Sequence, residues 1–135
     1  MSFITIEGFE SLDAQQVFDM AAKHVLTKGA PGWYAKGKVC RYSEGCAASV
    51  FIKPDRLRHA DHEGGSWTVL ARCNMVPEHH VDFIREIQMV HDDAAYAAND
   101  IGRHGMDSSA FMVRWSYDME TLGKKYGMDT SVFNS

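Results

Sequence analysis

Apolar residues recur at helical spacing in three segments of the chain, and each segment predicts a long amphipathic helix. Ser11 or Asp13 caps the first helix, which Gly29 ends and Pro31 prevents from resuming. The apolar positions of this first helix lie on one face and are Ala14, Val17, Phe18, Ala21 and Val25. We expect that face to pack against the core.

The second and third helices are predicted in the C-terminal half of the chain. Pro77 stands at the first position of the second helix, whose end is followed by Gly102 or Gly105. Ser108 caps the third helix, and Gly127 ends it. The inward-facing positions are Val81, Ile84, Ile87, His91, Ala94, Ala95 and Ala98 in the second helix and Phe111, Trp115, Met119, Leu122 and Tyr126 in the third.

The region between the first two long helices predicts a small β element. Val39–Tyr42 is typical of a short strand, and the turn Ser43–Gly45 follows it. The small residues in Cys46–Ile52 favour one or two helical turns that break before Pro54, although the apolar end of this stretch also suits a strand. The predicted fold class is mainly α with a small β element (α+β), in which three long helices surround one core beside a short hairpin.

Three further stretches complete the predicted architecture. Phe3–Ile6 predicts a short edge strand. Residues 30–38 predict a loop. Residues 56–74 are expected to be irregular, with a turn at Gly64–Gly65 and either a strand or a helical turn at Trp67–Leu70. The chain shows neither an internal repeat nor a linker, so we expect a single domain over residues 1–135.

Composition favours a folded, soluble and cytosolic protein. The chain has 135 residues, of which 45% are hydrophobic and 11% aromatic, enough to form a core. It has no apolar run long enough for a bilayer and no basic region followed by an apolar stretch at its start, so we expect neither a membrane span nor a signal peptide. Its three cysteines, an odd number, argue against a secreted disulfide framework and for reduced thiols.

Charge is distributed unevenly along the chain, whose formal net charge is -4. Between Lys23 and Arg58 there are eight basic and two acidic residues, whereas from Glu78 onward there are ten acidic and five basic residues. Such a chain either presents a basic face to an anionic partner or pairs its own basic and acidic parts. The sequence leaves both alternatives open.

The order of several short motifs resembles a known group of proteins. These motifs are Gln16-Val17-Phe18, Cys40-x-Tyr42, Gly45-Cys46-Ala47, Glu63-Gly64, Ile87-Gln88-x-x-His91-Asp92 and Leu122-x-x-Lys125-Tyr126-Gly127-Met128-Asp129. Together they are similar to small accessory proteins encoded by tailed bacteriophages and prophages, over about three-quarters of the chain. The resemblance implies a phage or prophage gene product that acts in the cytoplasm of its bacterial host. It implies no reaction.

Cysteines and histidines suggest a metal site at first sight. Cys40 and Cys46 are separated by five residues, whereas paired zinc ligands usually have two to four between them. Four histidines would have to complete the set: His59, His62, His79 and His80. The alternative is that the cysteines pack as small apolar residues and the histidines are solvated. We expect no bound metal and no cofactor.

Cys46, His91 and Asp92 are the candidates for catalysis. A cysteine nucleophile needs a neighbouring base, and Cys46 at the start of a helical segment has His91 as a candidate partner. The pair His91-Asp92 also occurs in metal-dependent phosphohydrolases, which require further ligands. A buried histidine with satisfied hydrogen bonds is the alternative for His91. A metal- or nucleotide-dependent hydrolase or thiol enzyme is therefore the second hypothesis.

Residues 28–42 combine cations and aromatic rings, as single-stranded nucleic acid or a nucleotide requires. The sequence pI near 5.9 is unlike that of strongly basic nucleic-acid-binding domains. Protein binding is therefore the first hypothesis. The protein is then a non-enzymatic accessory protein that binds and modulates or inhibits a host protein, as in counter-defence. The predicted contact residues are Trp33, Tyr34, Lys36, Lys38, Arg41 and Trp67. The sequence leaves the oligomeric state open, a homodimer included.

Overall fold

The computed structural model describes residues 3–63, 65–101 and 105–134 of the chain. The α-helices within these residues are α1 (Ala14–Lys28), α2 (Leu57–His62), α3 (Trp67–Arg72), α4 (Val81–Ile101) and α5 (Ser108–Lys125). Strands β1 (Trp33–Tyr34) and β2 (Val39–Cys40) form an antiparallel hairpin in which Trp33 lies opposite Cys40. The mainly helical class with a small β element is therefore confirmed.

The number of helices was predicted wrongly. The described residues contain five α-helices rather than three, because α2 and α3 lie in the stretch of residues 56–74 that was expected to be irregular. Ala60, Trp67 and Leu70 are fully buried, so packing against the core stabilises two helices too short to form alone. The predicted turn at Gly64–Gly65 includes residue 64, which lies outside the described residues.

Helix α1 begins and ends where the sequence predicts. The Asp13 side chain accepts a hydrogen bond from the Gln16 amide at 2.8 Å, and the Gln16 side chain accepts one from the Asp13 amide at 2.9 Å. Gly29 ends the helix with φ of 69°. Its buried face carries the predicted Val17, Phe18, Ala21 and Val25, together with Ala22.

Helices α4 and α5 begin at slightly different residues from those predicted. Helix α4 begins at Val81 rather than Pro77, since His80 has φ of 61°, outside the right-handed helical region. Asp107 caps α5 through a 3.0 Å bond from the Ala110 amide, so the cap lies one residue before Ser108. Gly127 has the predicted left-handed conformation, and Gly102 lies outside the described residues.

The N-terminal and central segments are joined to each other rather than forming separate elements. The predicted edge strand at Phe3–Ile6 is reduced to one antiparallel bridge between Thr5 and Ile52. The stretch Cys46–Ile52 forms a 3-10 helix at Ala47–Phe51, as its small residues favoured, and becomes extended before Pro54. This 3-10 helix packs against both α1 and α4.

Helix α4 lies at the centre of the molecule. It packs most extensively against α5 and also contacts α1, α3 and β2. His91 of α4 is edge-on to the Phe111 ring at 5.3 Å and the Trp115 ring at 6.0 Å, and all three are fully buried. The face of α4 that points toward the hairpin carries the polar residues described next.

Candidate functional site

Three polar side chains of α4 share one face because they are spaced at helical intervals: Gln88, His91 and Asp92. His91 is fully buried. Its Nε2 accepts a hydrogen bond from the Gly32 amide at 3.0 Å, and its Nδ1 lies 2.9 Å from Asp92 Oδ1. Because Nε2 is the acceptor, Nδ1 carries the proton and donates it to the carboxylate. His91 is therefore neutral and bonded at both ring nitrogens.

Gln88 extends this hydrogen-bond network to the 3-10 helix. Its Nε2 donates to Asp92 Oδ1 at 2.9 Å, and its Oε1 accepts from the Ala48 amide at 2.9 Å. Gln88 and His91 therefore connect α4 to both the loop before β1 and the segment after Cys46. This network holds the corner of the chain around Cys40 and Cys46 in place.

Close backbone contact requires glycine at position 32. A Cβ on Gly32 would lie 2.2 Å from the Cys46 amide nitrogen, a distance that no real side chain tolerates. The Gly32 carbonyl also accepts a hydrogen bond from the Arg41 amide at 3.0 Å. The hairpin is thereby fixed directly over His91.

Both cysteines near this network are held as thiols. Burial, reinforced by the Asp92 carboxylate, raises the pKa of the half-buried Cys40 thiol far above its ordinary value. Burial likewise raises the pKa of the fully buried Cys46 thiol to about 12, with Asp92 again contributing. At neutral pH neither sulfur is a thiolate, which is the reactive form of cysteine.

A cavity of about 380 Å³ opens beside these groups. It lies between the end of the hairpin, the turn at Tyr42, α3 and α4. Cys40, Cys46, Gln88 and Asp92 line one part of it, and Arg85 and Trp67 line other parts. The structure therefore brings the predicted candidates Cys46 and Asp92 to one cavity, with His91 directly behind Asp92.

Cys40, His91 and Asp92 form the one group of three potential metal ligands among the described residues, with their ligand atoms within 4.8 Å of one another. A metal ion bound to His91 Nδ1 would replace the proton through which this nitrogen donates a hydrogen bond to Asp92. The neutral ring would then carry its proton on Nε2, and that N–H would face the N–H of Gly32. The donor pattern therefore does not suit a metal ion at this place.

The four histidines that the sequence offered as metal ligands lie on two separate elements. His59 and His62 are exposed on α2, whereas His79 and His80 precede α4. The His80 Nε2 is 2.7 Å from the Leu12 carbonyl oxygen, so this ring joins the N-terminal segment to α4. None of these four belongs to the ligand group found among the described residues.

The hairpin places most of the predicted contact residues at the surface. Lys36, Lys38 and Arg41 are exposed, and the Arg41 guanidinium lies 3.7 Å from the centre of the Tyr34 ring. Trp33 is half-buried and meets Tyr96 of α4 edge-on at 5.2 Å. Trp67 is different: it is fully buried in α3, so the expectation that it is an exposed aromatic in an irregular segment is wrong.

Sequence reasoning considered Cys40 only as a possible metal ligand, and it missed Gln88 and Gly32 as parts of the site. The Gln88 amide is suited to bridging a carboxylate and a backbone amide. The signal for Cys40 and Gln88 lay in the motifs Cys40-x-Tyr42 and Gln88-x-x-His91-Asp92. No sequence signal distinguishes Gly32 from the other loop glycines.

Comparisons of the chain with protein-family models, with curated proteins and with solved structures find no match. Among the helices formed by the described residues, none has the combined length and apolar character needed to cross a membrane. Function must therefore be argued from the surface and the cavity themselves.

Proposed function

We propose that this protein is a non-enzymatic accessory protein of phage or prophage origin that binds an acidic face of a host protein in the bacterial cytoplasm and thereby modulates or inhibits it. The observation that supports this function is a set of exposed cations, which we call the basic face: Lys23, Lys28, Lys36, Lys38, Arg41 and Arg58. None of the six forms an ion pair within the described part of the chain, where the ion pairs involve residues of α4 and α5 only.

Four residues of the basic face line two adjoining depressions of the surface, and Lys36 and Lys38 lie in the turn between β1 and β2. Arg41 and Arg58 line a depression next to Tyr34, and Lys23 and Lys28 line a groove of about 860 Å³ along α1. The depression and the groove share Ser43 and Glu44, so they adjoin each other. The positive charge of the middle of the chain therefore faces outward instead of pairing with the acidic C-terminal half.

The groove supports a protein partner in preference to nucleic acid. Its floor is largely apolar and includes Met20, Val50 and Leu57, which suit an apolar side chain in an acidic segment. Part of the aromatic surface on which nucleic-acid bases would stack is taken up by contacts within the protein. Arg41 covers the Tyr34 ring, and Trp33 packs against Tyr96.

Affinity capture with charge-reversed variants tests this function. The test variant carries Lys36→Glu, Lys38→Glu and Arg58→Glu, which leave the Arg41–Tyr34 contact intact. The control variant carries Arg72→Glu, Arg114→Glu and Lys124→Glu, an equal change of charge at exposed positions outside the basic face. Nuclease-treated lysate of the bacterial host is applied to each immobilised protein, and the retained proteins are quantified.

We expect the wild type and the control variant to retain an acidic host protein. The amount retained by the test variant should be at least about tenfold lower, because charges at the rim of an interface steer and orient association. The purified host protein should then bind the wild type directly. Equal retention by the test variant would contradict the proposal, as would retention of nothing by the wild type. Retention from an untreated portion of the same lysate, with none from the nuclease-treated portion, would favour nucleic acid instead.

A small metal- or nucleotide-dependent hydrolase or thiol enzyme is the second candidate function. The proximity of Cys40, His91 and Asp92 beside a cavity favours it. The protonated thiols and the fully bonded imidazole argue against it, because they leave no ready nucleophile or base. Stoichiometric zinc or manganese in protein purified without a histidine tag would reverse this ranking.

A further inference from the structure

The cavity beside α4 has a negative end formed by Asp92. About a third of this side chain (35%) is exposed. Its Oδ1 accepts hydrogen bonds from Gln88 and His91, which are neutral groups. Among the described residues, no lysine or arginine forms an ion pair with Asp92. The carboxylate is therefore oriented by the protein but its charge is not neutralised.

The same cavity has a positive end formed by Arg85. Arg85 precedes Asp92 by seven residues, which places it on the same face of α4 about 10 Å away along the helix axis. Its guanidinium donates to Met89 Sδ at 3.3 Å and forms no ion pair within the described part of the chain. Arg85 and Asp92 are thus opposite charges that line one cavity without pairing with each other, and Arg41 and Asp61 line it as well.

The Trp67 side chain also lines this cavity. Trp67 is fully buried, and its Nε1 has no hydrogen-bond partner among the described residues. The Asp61 carboxylate also lines this cavity, and it accepts hydrogen bonds from the Tyr42 amide at 2.7 Å and from Ser43.

We propose that this cavity binds a small zwitterion of the amino acid or dipeptide class, with its ammonium group at Asp92 and its carboxylate at Arg85. A cavity of about 380 Å³ accommodates a molecule of this size. A ligand of either single charge would satisfy one end and leave the other unpaired. Arg41 of the basic face also lines this cavity, but the variants that test each proposal leave Arg41 unchanged, so the two proposals are tested independently.

Thermal shift and calorimetric titration of the full chain test the proposal. The probes are the L-amino acids and glycyl dipeptides at millimolar concentration. For the best probe, its N-acetyl form lacks the positive charge and its amide form lacks the negative charge. We expect the zwitterion to raise Tm and each single-charge form to bind at least about tenfold more weakly, because each loses one charge-assisted interaction.

Two variants and two controls locate the binding. Asp92→Asn keeps an acceptor for Gln88 and His91 but removes the charge, and Arg85→Gln removes the opposite charge; each should weaken binding by at least about tenfold. Asp93→Asn and Arg114→Gln, at neighbouring positions of α4 and α5 that do not line the cavity, should bind as the wild type does. If Asp92→Asn fails to fold, Arg85→Gln and the single-charge probes still decide.

The proposal is overturned if no amino acid or dipeptide binds at millimolar concentration. It is also overturned if Arg85→Gln binds the zwitterion as tightly as the wild type does and the wild type binds the single-charge probes as tightly as the zwitterion. Binding of only the amide form would instead assign the cavity to amines, and would overturn the role given to Arg85.

Discussion

His91 shows how one residue's role depends on its hydrogen bonds. Its position on the apolar face of α4 left two interpretations, a catalytic or metal-binding group and a satisfied core histidine. The Gly32 amide and the Asp92 carboxylate occupy both ring nitrogens, and the ring is fully buried between aromatic side chains. These contacts favour the second interpretation, in which His91 positions the hairpin and Asp92.

The three cysteines should differ sharply in reactivity. Cys73 is exposed, whereas burial raises the pKa of both Cys40 and Cys46. With iodoacetamide at neutral pH, mass spectrometry of the native protein should show Cys73 alkylated at least about tenfold faster than the other two. The Cys73→Ser variant should be almost unlabelled. Rapid labelling of Cys40 or Cys46 would instead support thiol chemistry at the cavity.

His24 should make stability depend on pH. Its Nε2 lies 3.0 Å from Ser49 Oγ and 3.2 Å from the Gly45 carbonyl oxygen, and burial lowers its pKa below the ordinary 6.5. Below about pH 6.5, His24 is protonated in the unfolded chain, whereas the folded protein binds this proton more weakly. The free energy of unfolding should therefore be fully maintained above that pH and should fall as the pH drops.

Urea unfolding between about pH 7.5 and pH 5 checks this prediction, with the His24→Gln variant as the comparison. The variant should show a shallower loss of stability toward acid than the wild type. Parallel pH profiles for the two proteins would show that His24 does not carry the effect.

At the level of elements, the hairpin of β1 and β2 depends on one glycine. Gly32→Ala would place a methyl group against the Cys46 backbone, which cannot give way as the end of a side chain can. We expect the free energy of unfolding to fall by about 2 kcal/mol or more. Chemical denaturation measures this loss.

Gly37→Ala is the matched control in the same hairpin. There the added methyl would meet the Tyr34 ring at 3.0 Å, a side chain that is able to shift. Its cost should stay below about 1 kcal/mol. If both variants were equally stable, the close approach at Gly32 would not be what fixes the hairpin.

Elements with local signals could be predicted from the sequence, and those that depend on distant contacts could not. Asp13, Gln16 and Gly29 set the ends of α1 within a few residues of the helix itself. The late start of α4 accompanies a contact between His80 and Leu12, which are 68 residues apart. The site follows the same rule, because the Gly32–His91 bond joins residues 59 apart and leaves no periodic trace in the sequence.

At the level of the whole molecule, the proposed function depends on how charge is distributed over the surface. The sequence shows the uneven distribution of charge. It does not show whether the basic residues pair with the acidic ones or form an outward basic face. In the structure, the six cations of the basic face are exposed and form no ion pairs with described acidic residues. A protein with a net charge of -4 thus keeps six cations exposed at its surface without an ion-pair partner among the described residues.

Hydrogen–deuterium exchange of the full chain, alone and with the host protein that it captures, tests whether the partner binds at the basic face. We expect slower exchange in the complex at residues 33–42 and 57–62 and along the groove of α1. Exchange around Val113 and Tyr117, exposed apolar residues of α5, should not change. Protection confined to that part of α5, with none in the hairpin, would show that the partner does not bind at the basic face.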